Sequence, residues 1–208
     1  MTETDQHQSR ISIIQDVVAV FVLSITAVLT AWCGFESSKW GGEMSIAFSE
    51  ASSARIQSVA AEGEARDQRQ FDLTIYSQWV VAVADGNDQL ADYIEERFAP
   101  EFAIAFDAWQ ADGMAENGPF ATDAYVLPAA LEAADLSARA DQKFTEALEN
   151  NQRGDNYSLL TVLFALVLFL TAMSQRDVKT WIGRAFLGMA IVVAIVGIGI
   201  LMTLPVRI

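Results

Sequence analysis

The chain has 208 residues, 52% of them hydrophobic, a formal net charge of −14 and a single cysteine. An acidic balance of this size lacks the basic stripe that phosphate contacts require, which excludes a nucleic-acid partner. One Cys33 supports neither a disulfide scaffold nor a cysteine-based zinc site. The charge is also unevenly placed. Residues 34–156 hold 23 Asp and Glu against 8 Lys and Arg, a net of −15, so the remainder carries +1. Most of the Val, Ile, Leu and Phe fall into three runs outside that segment or at its borders.

A helix crosses a bilayer with roughly 20 apolar residues, since about 1.5 Å of rise per residue must cover a core near 30 Å. After a polar tail at 1–16, the first such run is 17–35, bounded by Asp16 and Glu36. Its flank carries Glu3 and Asp5 and a single base, Arg10, which reads as an uncleaved anchor rather than a signal peptide. Trp32 stands before Cys33 where a lipoprotein signal needs a small residue.

The exit of this span is polar and aromatic. Glu36, Trp40 and Glu43 share one helix face, and Lys39 lies at i,i+3 and i,i+4 spacing from Glu36 and Glu43. No proline interrupts the pattern up to Gly86. Small residues recur at Ala47, Ala51, Ala54, Ser58, Ala61 and Ala65, in steps of four and three, a stripe that lets a neighbouring helix approach closely. The stripe enlarges at Ile75 and Trp79. Asp85-Gly86-Asn87-Asp88 predicts a helix stop, a turn and a new N-cap.

A second helix is predicted over about 89–110, with Leu90, Tyr93, Ile94, Phe98, Phe102, Phe106 and Trp109 on one face and Pro100 kinking or restarting it. Gly113, Gly118 and Pro119 mark a loop. A third helix starts near Pro128, carries Leu131, Leu136, Phe144 and Leu148, and is placed to run into the second span at 157–173. Ahead of that span stand Asn150, Asn151, Gln152, Arg153, Asp155 and Asn156, which an antiparallel return brings to the level of Glu36. A short basic connection at 174–184 holds Arg176, Lys179 and Arg184; the third span is 185–204, followed by 205–208. The bases place the N-terminus and this connection in the cytoplasm and the acidic segment outside.

The expected fold is therefore all-α: three transmembrane helices, with an extramembrane helical hairpin domain (36–156) inserted between the first and second spans. His7 is the only histidine, and no catalytic or phosphate-binding motif occurs, so no enzyme activity, metal or cofactor is expected. Two groups of residues are candidates for function. One is the juxtamembrane cluster Glu36, Lys39, Trp40, Glu43, Asn150, Asn151, Arg153, Asp155 and Asn156. The other is the packing stripe from Ala47 to Ala65. Expected partners are membrane lipids and either a second copy or another membrane protein.

Three blocks carry a resemblance. Thr30-Ala31-Trp32-Cys33-Gly34-Phe35-Glu36 with Trp40-Gly41-Gly42-Glu43 is the first. Arg97-Phe98-Ala99-Pro100-Glu101-Phe102 with Ala105-Phe106-Asp107-Ala108-Trp109 is the second, and Asn151-Gln152-Arg153 through Asn156-Tyr157 into Thr161-Val162-Leu163-Phe164 the third. Together they resemble an uncharacterised family of bacterial three-span membrane proteins, although Phe35-Glu36 stands where that family has Tyr-Gln. The resemblance implies the three-span architecture and a bacterial inner-membrane origin, and no mechanism. From the residues, the expected function is structural or accessory, acting through helix-mediated oligomerisation. The alternatives are a channel or transport component with an acidic, cation-attracting vestibule, and a sensor that needs a separate output partner.

Overall fold

The computed structural model describes residues 3–176 and 179–207, with side chains from residue 13 onward. The side chains of Glu3, Asp5, His7 and Arg10, on which the reading of the N-terminal flank rests, lie outside the described residues. Among the described residues the chain is helical, with no strand. Its helices are α1 (Glu3–Ala84), α2 (Asp88–Glu95), α3 (Pro100–Ala111), α4 (Pro128–Ser174) and α5 (Thr180–Leu201), with a 3-10 turn at Pro119–Ala121.

The boundaries have local causes. After α1, Gly86 adopts φ +68°, the Asn87 amide bonds the Ala82 carbonyl at 2.9 Å and the Gly86 amide bonds Val83 at 3.1 Å. This is a Schellman stop, which needs a residue that tolerates the left-handed region. Asn87 then caps α2, its side chain accepting from the Leu90 amide at 3.1 Å. The predicted second helix is two helices: α2 ends at Glu95, Ala99 is extended at ψ 145° as a residue before proline prefers, and Pro100 opens α3. The interruption separates the two faces. Ala91 and Ile94 are buried on α2, whereas Leu90 and Tyr93, expected on the buried face, are exposed.

Three helices are long and apolar enough to cross a membrane: α1 near the N-terminus, α4 and α5. Two compact units can be distinguished, one of Met1–Phe48 with Thr145–Ile208 and one of Ser49–Phe144.

The first unit contains the apolar runs. Val17, Phe21 and Val28 on α1, Leu159, Val162 and Phe169 on α4, and Val192, Ile195 and Val196 on α5 are all exposed. Exposed apolar surface on every helix suits hydrocarbon and not water. Inside, Cys33, Trp40, Tyr157, Leu160 and Phe164 form one cluster, and Val167, Leu170 and Ala190 another. Gly197 is where α5 passes the Phe164 ring, and a Cβ there would lie 2.9 Å from ring carbon Cε1. At Gly183 a Cβ would lie 2.9 Å from the Ser174 backbone carbonyl, which cannot swing away. Gly183→Ala is therefore expected to destabilise this unit by about 1–3 kcal/mol. A thermal melt of the purified chain in detergent checks this, with Gly188→Ala as the control because that position opens onto free space. Thr30, Thr161 and Thr171 bond the carbonyls of Thr26, Tyr157 and Val167, so their hydroxyls are satisfied within their own helices.

In the second unit α1 and α4 meet through small residues. The Ser58 hydroxyl donates to the Ala133 carbonyl at 2.9 Å, and Ala65 packs with Leu127 and Ala129. Arg55 pairs with Asp141, and Lys143 Nζ lies 2.9 Å from Glu50 Oε2, holding that carboxyl below its usual range. The paired numbers rise along α1 as they fall along α4. The buried face of α4 here is Ala129, Ala133 and Ala140; Leu131 and Phe144 are exposed and Leu136 is half-buried. The large side chains thus sit off the contact, because two backbones this close leave room only for alanine and serine. Beyond the alanines, Trp79, Ala82, Ile94, Phe98, Phe102, Phe106 and Trp109 form the largest apolar core, with Tyr76, Phe120 and Tyr125 against it.

Candidate functional site

At the end of its apolar run α1 presents Cys33, Glu36, Trp40 and Glu43 on one face, and α4 approaches through Gly154. The Ser37 hydroxyl lies 3.1 Å from the Gly154 carbonyl and 2.8 Å from the Ser158 hydroxyl. The Glu36 side chain is fully buried, at 0% exposure, and Trp40 and Asn150 are buried beside it.

The segment after α5 turns back onto this face. The Tyr157 hydroxyl donates to the Pro205 carbonyl at 3.0 Å. The Arg207 amide donates to Glu36 Oε2 at 3.1 Å, and its guanidinium lies 3.2 Å from Glu43 Oε2. Trp40 has two guanidinium neighbours: Arg153 Cζ is 4.9 Å and Arg207 Cζ 5.6 Å from its ring centroid. Arg153 is held in turn by Asn150 Oδ1 at 3.0 Å and Glu149 Oε2 at 3.3 Å. The Glu43–Arg207 pair is partly exposed and contributes at most about 1 kcal/mol. Each cation–aromatic contact adds about 0.5–1 kcal/mol, more where water is excluded. Two buried atoms of this cluster have no partner among the described residues, Glu36 Oε1 and Trp40 Nε1. A buried polar atom without a hydrogen bond costs about 1–3 kcal/mol.

Of the juxtamembrane candidates, Glu36, Trp40, Glu43, Asn150 and Arg153 come together. Lys39 is exposed and forms neither of the ion pairs its spacing allows; Arg207 takes Glu43 instead. Asn151 and Asp155 are exposed and bonded to each other at 3.2 Å, and half-buried Asn156 accepts from Gln152 at 3.2 Å, all within α4. Tyr157, Pro205 and Arg207 were not among the candidates. Their signal was topological: Arg207 is a base that follows the third apolar run, and it emerges on the side where Glu36 and Glu43 need one.

All six stripe residues, Ala47, Ala51, Ala54, Ser58, Ala61 and Ala65, are buried. Continuing the same register through 68 reaches Asp72, which is also fully buried. The Tyr125 hydroxyl donates to Asp72 Oδ2 at 2.9 Å, while Oδ1 has no partner. Burial pushes the Asp72 carboxyl up, Glu101 adds to the rise and the Tyr125 bond opposes it. A carboxylate in a helix register otherwise free of charge is the signal that marks this pair.

Clefts open on the second unit, two of them similar in size. One, of about 450 Å³, is lined by Phe98 and Phe106 together with Asp92, Glu95, Glu96 and Asp107. The other, of about 470 Å³, is lined by Val81, Leu90, Tyr93 and Ile94 together with Asp85 and Asn87. Among the described residues no three His, Cys, Asp or Glu side chains gather as a metal site. No family model, curated protein or solved structure matches the chain.

Proposed function

We propose that this chain is an integral membrane protein of structural or accessory function that acts by self-association along the outer face of α1. In this reading the acidic residues form a helical hairpin between the first and second spans. Arg176, Lys179 and Arg184 hold the short connection in the cytoplasm of a bacterial cell, leaving the acidic domain outside.

The observation that supports association is a second line of small residues on α1, opposite the buried one. Ser24, Ala27, Ala31, Gly34, Ser38, Gly41 and Ser45 follow each other in steps of three and four, all exposed except half-buried Gly41. Glycine within a helix costs about 0.5–1 kcal/mol relative to alanine. Gly34, Gly41 and Gly42 have no heavy atom within 4 Å of a built Cβ, so nothing in this chain needs them small. A second α1 does, because small-xxx-small faces let two backbones close in a bilayer, and the same face on both copies is self-complementary. On α5, Ala190 is buried and Gly197 carries the Phe164 ring, whereas Gly188 and Gly199 are open but isolated and do not continue a line of small residues as on α1.

The test is the oligomeric state in native membranes and in nanodiscs. The wild-type chain is expected to cross-link to itself. Gly34→Ile with Gly41→Ile is expected to weaken association at least tenfold, whereas Val162→Ile, at an exposed position on α4, leaves it unchanged. A wild-type chain that stays monomeric at every accessible concentration rejects the reading.

A further inference from the structure

We propose that Glu36, Glu43, Trp40 and Arg153 form a binding site for a phosphoethanolamine headgroup, and that Arg207 occupies part of it as an internal ligand. Such a site is independent of self-association and rests on the reading of α1 as a membrane span.

The two unmet needs in this cluster are opposite in kind. Glu36 Oε1 is an acceptor without a donor, and Trp40 Nε1 is a donor without an acceptor. A ligand that meets both must carry hydrogen-bearing positive charge and an anionic oxygen together. The segment at Arg207 shows how the positive half is received: its amide on Glu36 Oε2, its guanidinium on Glu43 Oε2 and over the Trp40 ring. One backbone amide has a single hydrogen, so it reaches one oxygen of Glu36 and leaves the other bare. A primary ammonium has three and can serve Glu36 Oε1, Glu36 Oε2 and Glu43 together. For the anionic half, Arg153 already lies over the same indole, and the Trp40 N–H is free to donate to a phosphate oxygen. Headgroups sit where an apolar helix leaves the hydrocarbon, and Trp40 and Glu43 stand one and two turns beyond Glu36 there. Binding requires 204–207 to lift, exchanging the Arg207 contacts for those of the ligand.

The shared chemistry is phosphoethanolamine, free or lipid-borne, and lipid retention by the purified full-length chain separates the sources. Native mass spectrometry after equilibration with mixed vesicles is expected to retain phosphatidylethanolamine about tenfold over phosphatidylcholine, whose quaternary ammonium has no N–H to give. Glu36→Gln and Trp40→Phe are each expected to reduce that preference about tenfold. Trp40→Phe keeps an aromatic ring in the cluster with Tyr157 while removing the N–H, so it tests the donor if Glu36→Gln fails to fold. Arg207→Ala loosens the internal ligand and is expected to raise retention severalfold. Displacement by millimolar phosphoethanolamine supports the headgroup chemistry with the free solute as a source. A preference that persists without displacement supports the lipid-borne source. Equal retention of the two lipids, or a preference untouched by both Trp40→Phe and Arg207→Ala, overturns the proposal and leaves a bridging water as the partner of both atoms.

Discussion

Phe102→Ala is expected to cost the Ser49–Phe144 unit about 3–5 kcal/mol, the usual penalty for emptying a large aromatic site in a packed core. Phe102 is fully buried and its ring is touched from several elements. Its centroid lies 4.8 Å from Phe98, 4.9 Å from the stacked Phe120, 6.0 Å from Tyr76 and 6.1 Å from Tyr125. These neighbours come from α1, from the break before α3, from the 3-10 turn and from the loop before α4. No single one can move in to fill the space without leaving its own contacts, so the cavity stays open. Trp79 and Trp109 belong to the same core and report its loss by fluorescence. A melt of this unit shifted by less than about 1 kcal/mol would mean that the cluster collapses around the vacancy.

Tyr125→Phe is expected to destabilise the same unit by about 1–3 kcal/mol at neutral pH, because it strands both oxygens of a fully buried Asp72. The ring is preserved, so the loss isolates the hydroxyl. The pH dependence has a sign opposite to that of most carboxylates. Asp72 is raised in the fold by burial, so it binds its proton more readily folded than unfolded. The native state then holds more protons over the window from the ordinary aspartate value, about 4, up to the raised one, and stability falls as pH rises through it. Asp72→Asn keeps an oxygen for the Tyr125 hydroxyl while removing the charge, and is expected to abolish this slope and to stabilise the unit above that window. Burial, with Asp72 next, also pushes the Tyr125 phenol above its usual range, so the donor persists across it. Chemical denaturation of wild type, Asp72→Asn and Tyr125→Phe at pH 4, 6 and 8 provides the check. A wild-type stability that rises with pH while that of Asp72→Asn stays flat would contradict the assignment.

Both effects concern residues whose helical positions are plain in the sequence and whose partners are not. The α1 stop was readable because Gly86 and Asn87 act within their own turn, and the α4 start because Pro128 needs no distant partner. The run of small residues from Ala47 to Ala65 was readable as a packing face, since its spacing is a local property of one helix. Its partner face carries no such signal: Ala129, Ala133 and Ala140 make the contact while Leu131 and Phe144 stay exposed, because backbone proximity and not side-chain volume sets the fit there. Likewise Ile94, Phe98, Phe102, Phe106 and Trp109 bury together across the restart expected at Pro100, and only Leu90 and Tyr93 leave that face, because four residues of irregular backbone release α2 from the register of α3.

The sequence alone determined the helical class, the three apolar helices and the concentration of acid between the first two, since hydropathy and charge are sums over neighbours in the chain. It also marked Glu36, Trp40, Glu43 and Arg153 as unusual for their place. Only the tertiary structure decided that Asn151 and Asp155 stay apart from them, bonded along α4. It alone joined Arg207 to Glu36 across 171 residues and Tyr125 to Asp72 across 53. Such pairings are set by the direction in which helices return and by what each buried polar atom finds within 3 Å, and neither is a periodic property of any one segment.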